Sequence, residues 1–402
     1  MIDRGRLKRR IAELGSIGGR GDAVTRLGLS AEEQRARELV GGWLRERGAV
    51  VRRDAAANLW AHFAGSAGGA AVLAGSHLDS VPDGGRFDGA LGVLCAVEAV
   101  EALLDAKVAF RRPVEIVAWA DEEGARFGVG LFGSAAAFGR APAGIAQRTD
   151  RDGITVADAL RALGERGDPA AARRDAKEFA TYLELHIEQG PRLAQSGRPL
   201  GVVSDIVGIY HARVTLRGRA DHAGATVMGA RADALAAAAE IVLAVEALAR
   251  GRADAVGTVG EIAVRPGAKN VVPGECVFSL DLRAAHGNDE LTADVLNAAE
   301  RIARARGVEL TVDELARVPV TVLDAGVREV LRRAAAESGV DAPVLVSGAG
   351  HDAQNAQLAG VPSGMLFVRS TGGSHTPREF ASPDDAALGA SVLAVALRAL
   401  VA

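Results

Sequence analysis

Aromatic side chains are scarce in this chain, with 3 Trp, 2 Tyr and 10 Phe among 402 residues. So few rings leave no platform on which nucleic-acid bases could stack. Long basic runs are missing too, and the net charge of −4 offers no patch of Lys and Arg to displace counterions from a phosphate backbone. Nucleic acid is therefore not an expected partner. Only two cysteines occur, Cys95 and Cys276, far apart in apolar segments, which reads as two buried free thiols rather than a disulfide or a ligand pair. No stretch approaches the ~20 apolar residues of a membrane span. The opening MIDRGRLKRRIAEL is charged from its third residue and holds no apolar signal core. A cytoplasmic protein with no membrane partner is expected.

What is present is an ordinary globular balance, 49% hydrophobic and 24% charged, in a chain long enough for two domains, since single cores stop growing at roughly 250–300 residues. Residues 31–48 place Ala36, Val40, Trp43 and Leu44 at helical spacing behind Ser30, a good N-cap. Short apolar runs at Ala70–Ala74, Val114–Ala120 and Tyr182–Leu185 read as buried strands, separated by helical segments at 89–104 and 156–163. Such alternation predicts an α/β sheet covered by helices. From about residue 210 the texture changes. HARVTLRG and CVFSLDLRA alternate like strands with one buried face, and two Ala-rich helices lie between and after them, at 230–250 and 288–306. Helix–strand alternation resumes near 325 and ends in a helix at 383–401. The expected fold is an α/β domain with a central mixed sheet, residues 1–210 and 325–402, interrupted by a smaller two-layer α+β domain, residues 211–324.

The histidines carry the chemical information. His77 follows an apolar strand in AVLAGSHLDS, at the carboxyl end where open α/β sheets place their ligands. Asp79, two residues on, is placed to accept the other ring N–H and fix the tautomer a metal requires. Asp88 lies on the Gly-rich turn GGRFDGALGV ahead of a helix; taken alone, a helix cap is the plainer reading. The strand PVEIVAWA runs into Asp121-Glu122-Glu123. Adjacent carboxylates at a strand end are costly without a positive partner, and a divalent cation would offset that cost. One of the pair can bind metal while the other handles a proton. Taken alone, the turn is also a solvated acidic loop. His186 in YLELHIEQGP and His375 in GGSHTPRE again stand after strand-like runs. Five candidate ligands near strand ends form a pattern that chance rarely supplies. Mixed His and carboxylate donors suit Zn²⁺, Mn²⁺ or Co²⁺, and the lack of Cys ligands argues against a structural zinc site.

The segments GSHLDSVPDGGRFDGALGV, DEEGARFG, ELHIEQGP, ADHAGAT, AKNVVPG, SGAGHDAQ and SHTPRE resemble the motifs of the M20-type metallohydrolases, from about residue 25 to 390 and in the family's order. More narrowly they resemble the branch of N-carbamoyl-L-amino-acid hydrolases, allantoate amidohydrolases and β-ureidopropionases, where HIEQGP carries His in place of the acidic ligand of the peptidase members. The resemblance implies an amidohydrolase with two divalent metal ions per subunit and a small ureido or amide substrate. Asp88 would bridge the metals, with Glu123 and His375 completing one site and His77 and His186 the other. Glu122 would be general base and then general acid. The inserted domain would serve as lid and dimerisation unit, its His222 completing the active site of the partner subunit in a homodimer. Asn270 and Arg283 match positions holding the substrate's carboxylate side, and Gln189 matches a residue lining the pocket.

Two departures bear on substrate identity. The family follows HAG with Thr-Thr-Pro-Met where this chain has Ala225-Thr226-Val227-Met228, and many members have Phe-Val-Pro-Ser where this chain has Phe367-Val368-Arg369-Ser370. Arg369 is expected to add positive charge near the pocket mouth. The remaining histidines, His62, His211 and His286, read as structural. His351 lies in a Gly-rich loop, as a structural residue or one lining the cleft. Ser347, His351 and Asp352 are too close in sequence for a hydrolase triad, and no G-x-S-x-G elbow precedes them. A non-catalytic relative that kept the fold would be expected to have lost ligands or the base, and all six positions are present.

Overall fold

The structure, a computed structural model, describes residues 1–402. The chain divides into two compact units, one formed by Met1–Ser204, Val322–Leu345 and Ala349–Ala402, the other by Asp205–Thr321 with Val346–Gly348. No helix is long and apolar enough to cross a membrane.

The first unit is built on a nine-stranded mixed sheet. Its four central strands run parallel in the spatial order Ser363–Val368, Phe179–Ile187, Ala71–His77, Val114–Trp119. Antiparallel strands flank them, Leu200–Ile206 on one side and Leu59–Phe63, then Val50–Arg53, on the other. The central strands are covered on both faces, so Ala71–His77 and Val114–Trp119 are buried at every residue, the near-continuous apolar pattern of parallel strands. Helix Ala90–Asp105 is likewise buried along almost its whole surface and packs with helix Pro383–Val401 in the main core. The latter begins at a strong signal: the Ser382 side chain accepts from the amides of Asp384 and Asp385, and Pro383 fills the first turn.

Helix Arg4–Ser16 is held on Ala90–Asp105 by charge. Arg6 lies 2.7 Å from Glu98 and 2.8 Å from Glu101, and Arg10 lies 2.9 Å from Glu101. Both glutamates are buried and need those guanidiniums.

In the second unit, Glu275–Ala284 lies central in an antiparallel sheet, paired with Gly208–Arg217 on one edge and with Ala255–Thr258 and Ile262–Arg265 on the other; Glu309–Val318 extends it beyond Gly208–Arg217. Alternate residues of Glu275–Ala284 are buried, and helices Ala234–Arg250 and Asn288–Arg306 join them in a separate core with Tyr210, Val214 and Leu216. Sequence patterning finds two strands here, and the structure holds five in the sheet. The additional three lie at its edges, where exposed polar positions blur the alternation.

Candidate metal centre

Parallel strands leave the sheet on one edge, and that edge collects the candidate ligands. His77 is the last residue of its strand, opposite Trp119, after which the chain turns through Asp121, Glu122 and Glu123. His186, next to last on its strand, stands opposite Phe367, beyond which the chain reaches His375. Two groups of donors result: His77, Asp88 and His186, and Asp88, Glu123 and His375, each with donor atoms within 4.8 Å of one another. Asp88 belongs to both.

Asp88 does not cap the following helix. The residue before that helix is Gly89, with no side-chain cap, while Asp88 Oδ1 lies 3.2 Å from His186 Nε2 and 3.7 Å from His77 Nε2. Its Oδ2 lies 3.5 Å from His375 Nε2 and accepts from Gln189 Nε2 at 2.8 Å and Ser374 Oγ at 2.7 Å. Gly89 is demanded by this crowding. It has φ +61°, and a Cβ there would stand 2.2 Å from the His77 ring.

Both buried imidazoles present Nε2 to the centre. His186 Nδ1 faces the carbonyl of Ile187 at 2.9 Å, and its Nε2 accepts the Gly89 N–H at 3.2 Å. His77 Nδ1 faces the Asp79 carbonyl at 3.3 Å and carboxylate at 3.4 Å. Asp79 thus meets His77 where the sequence places it and does more: its oxygens accept the amides of Glu122 and Glu123 at 3.0 and 2.9 Å, pinning the acidic turn. Glu122 Oε2 lies 3.5 Å from His77 Nε2, and Glu123 Oε2 lies 3.3 Å from His375 Nε2.

This constellation fits divalent cations. Ions held at about 2.1 Å in tetrahedral geometry keep their ligands about 3.4 Å apart, and the Nε2 and carboxylate separations cluster around that value. Glu123 Oε1 is buried with no hydrogen-bond partner, a costly state for a carboxylate without a cation. Burial, then repulsion from Asp352 and Glu123, pushes the Glu122 carboxyl well above the usual range; burial and Asp88 do the same to Glu123. Asp88 is held well below it: burial opposes ionisation, but the hydrogen bonds from His186 and His375 outweigh it. Against its own burial, Asp88 raises His186 to about 9.

Two buried groups stand beside the centre, His351, which the sequence singles out, and Glu184, which it does not. The His351 ring packs edge-on against His186 with centroids 4.5 Å apart and also meets Phe367; it is buried. Glu184 accepts from Ser76 Oγ and the Ala353 amide, both at 2.8 Å. Arg369 places its charge against Asp385, with Nε and Nη2 at 2.9 and 2.8 Å, so that charge is already compensated at the start of the last helix. Gln189 is held by Asp88 with its backbone at φ +61°.

The remaining sequence candidates belong to the second unit. Exposed His222 stands opposite Val271 in a short antiparallel pair, and the Ala223 amide donates to the Asn270 carbonyl at 3.0 Å, bringing the two motifs together. His222 Nδ1 accepts the amides of Gly224 and Ala225 at 3.0 and 3.1 Å. Arg283 makes a two-pronged contact to Asp281 at 3.0 and 2.9 Å. Asp281 also faces His211 at 3.3 Å. Burial works against its ionisation, yet His211 and Arg283 hold its carboxyl down to about 2.

A parallel-centred α/β sheet with paired histidine–carboxylate groups and a further glutamate at its carboxyl edge has the parts that metal-assisted hydrolysis uses. Peptidase family M20/M25/M40 matches residues 73–399, and the chain belongs to that family. It is similar to the N-carbamoyl-L-amino acid amidohydrolase of Geobacillus stearothermophilus, 43% identical over 401 residues that cover 98% of this chain and 97% of the relative. An allantoate deiminase of Arabidopsis thaliana is 34% identical, covering 96% of this chain and 80% of its own. The crystal structure of an amidase of the hydantoinase/carbamoylase family from Burkholderia multivorans superposes with a TM-score of 0.90 at 34% identity, covering 100% of this chain and 98% of its own.

Proposed function

We propose that this enzyme hydrolyses the ureido C–N bond of an N-carbamoyl-L-amino acid, giving the amino acid, CO₂ and ammonia. The observation that carries the reading is the near full-length match to a relative of that name. The two donor groups around Asp88 support it.

A ureido carbonyl is a poor electrophile because two nitrogens donate into it. In this reading His77, Asp88 and His186 hold one divalent ion and Asp88, Glu123 and His375 a second, with Zn²⁺, Mn²⁺ or Co²⁺ each suited to the donors. When bound, such ions polarise the carbonyl oxygen and acidify water. Glu122 takes the proton of the attacking water and delivers it to the departing nitrogen, one carboxylate serving as base and then acid. One water is consumed overall, and the carbamate left by loss of ammonia releases CO₂. Asp79 positions Glu122 through its backbone amide. His222 acts as a donor: with Nδ1 accepting two amides, its ring proton belongs on Nε2, suited to an oxyanion in the partner subunit of a homodimer. Asn270 and Arg283 take the substrate's carboxylate side, and Gln189 the pocket wall. The inserted domain, expected from the sequence at residues 211–324, is the lid and dimerisation domain in this scheme. A reducing cytoplasm suits the two buried free thiols, Cys95 and Cys276.

The similarity to an allantoate deiminase makes allantoate the second reading. Both are tested by stripping the protein with chelator, reloading Mn²⁺, Zn²⁺ or Co²⁺, and assaying N-carbamoyl-L-α-amino acids, N-carbamoyl-β-alanine, allantoate and an N-acetyl amino acid. Metal-dependent release of ammonia and amino acid from an N-carbamoyl-L-α-amino acid is expected. Turnover of the N-acetyl compound alone would replace this reading with an aminoacylase.

A further inference from the structure

Glu379 is the one acidic residue of SHTPRE, and no step of the reaction uses it. It is only 5% exposed. Its Oε1 accepts the backbone amides of Phe87 and of Asp88, each at 3.0 Å. Its Oε2 lies 3.3 Å from Ser374 Oγ, the hydroxyl that also reaches Asp88 Oδ2 at 2.7 Å. The Glu379 amide donates to the Thr376 carbonyl at 3.1 Å, which closes the loop carrying His375. On the opposite side the turn is shaped around this carboxylate: a Cβ on Gly85 would stand 2.1 Å from Glu379 Oε1 and 2.3 Å from its Cδ. The neighbouring side chains lock as well, since the Phe87 and Phe380 rings meet edge to face with centroids 5.9 Å apart.

The segment before Asp88 has no helix or strand of its own to fix it. Two successive amides converging on one carboxylate oxygen are what set the direction of the Asp88 side chain, and Asp88 is the residue shared by both donor groups. The carboxylate that does this is tethered four residues from His375, a donor of the second group. We propose that Glu379 is a positioning residue that couples the Asp88 turn to the His375 loop, so that the two donor groups bind metal as one unit. The inference rests on the reading of those groups as metal sites.

Metal affinity measured by chelator competition on the full-length protein, with no substrate present, tests it. Wild-type protein is titrated first; a chain that takes up no Zn²⁺ or Mn²⁺ would remove the metal reading itself, separately from the role of Glu379. Given wild-type binding, Glu379→Ala is expected to weaken affinity by about ten- to a hundredfold, the effect of losing an outer partner of a ligand. Glu379→Gln keeps an oxygen for the two amides and is expected to bind like the wild type. Gly85→Ala, pressing on the carboxylate, should weaken binding in the wild-type background and add nothing to Glu379→Ala. A purely structural role would lower the melting temperature of the metal-free protein in Glu379→Ala and leave affinity unchanged. That result, or a Glu379→Gln variant as weak as Glu379→Ala, overturns the proposal; should Glu379→Ala not fold, the Gln and Gly85→Ala variants decide between the two.

Discussion

Glu122 and Glu123 are chemically identical neighbours that the structure separates by surroundings. Glu123 faces His375 and leaves one oxygen unpartnered, whereas Glu122 looks toward His77; burial raises the proton affinity of both, joined by Asp352 for Glu122 and by Asp88 for Glu123. Exchanging Glu122 for Gln should therefore leave metal content intact and lower kcat by about 10²–10⁴-fold, the usual worth of a positioned acid–base group; metal analysis beside steady-state kinetics gives both numbers. His222→Ala should cost about 10²–10³ in kcat if it supplies an oxyanion donor. Nitrogen-15 spectra of the wild type should show the His222 proton on Nε2, independently of any assay. Asp281 makes a pH prediction of definite sign. Its carboxyl, held near 2 against about 3.9 in an unfolded chain, favours the folded state above the higher value, and that contribution disappears as pH falls through 2. A carboxyl-carbon titration should find this low value, and His211→Ala should move it upward.

At the level of elements, the donor strands were legible because a histidine stands at or next to the end of an otherwise mostly apolar run, or a cluster of carboxylates follows directly after one. Ala71–His77 and Phe179–Ile187 announce His77 and His186 in this way, and Ser30 and Ser382 announce their helices. Less legible were Ala255–Thr258, Ile262–Arg265 and Glu309–Val318, whose mixed and exposed positions lack a clean period of two. Glu379 escaped for a different reason. Its partners are backbone amides, which every residue type shares, so nothing in the letters of the Asp88 turn points to it beyond the glycine at 85. The docking of Arg4–Ser16 was invisible as well, since it depends on Glu98 and Glu101 in the middle of an otherwise apolar helix. Arg6→Ala should destabilise the protein by about 3 kcal/mol, because it strands a buried carboxylate; the denaturant midpoint would fall with an unchanged m-value.

For the molecule as a whole, the candidate donors at residues 77, 88, 123, 186 and 375 meet only in the folded state, so in the proposed scheme metal would act as a ligand of that state alone. Each cation site saturated to about 100 times its Kd adds about 2.7 kcal/mol. Chelator-treated protein should consequently melt at a lower temperature, and the melting temperature should climb with added Mn²⁺ or Zn²⁺; calorimetry that found no dependence on metal concentration would contradict the two-ion scheme.

The order of strands also governs how the chain is made. Ser363–Val368 lies between Phe179–Ile187 and Leu200–Ile206, both synthesised more than 150 residues earlier. The nascent sheet must therefore wait with an open slot between these two strands until Ser363–Val368 has been made. Such non-local pairing folds slowly and exposes strand edges. The late-arriving strand precedes the His375 loop, so the second donor group forms only once that strand and loop have been made, and a polypeptide terminated before them would be left without it.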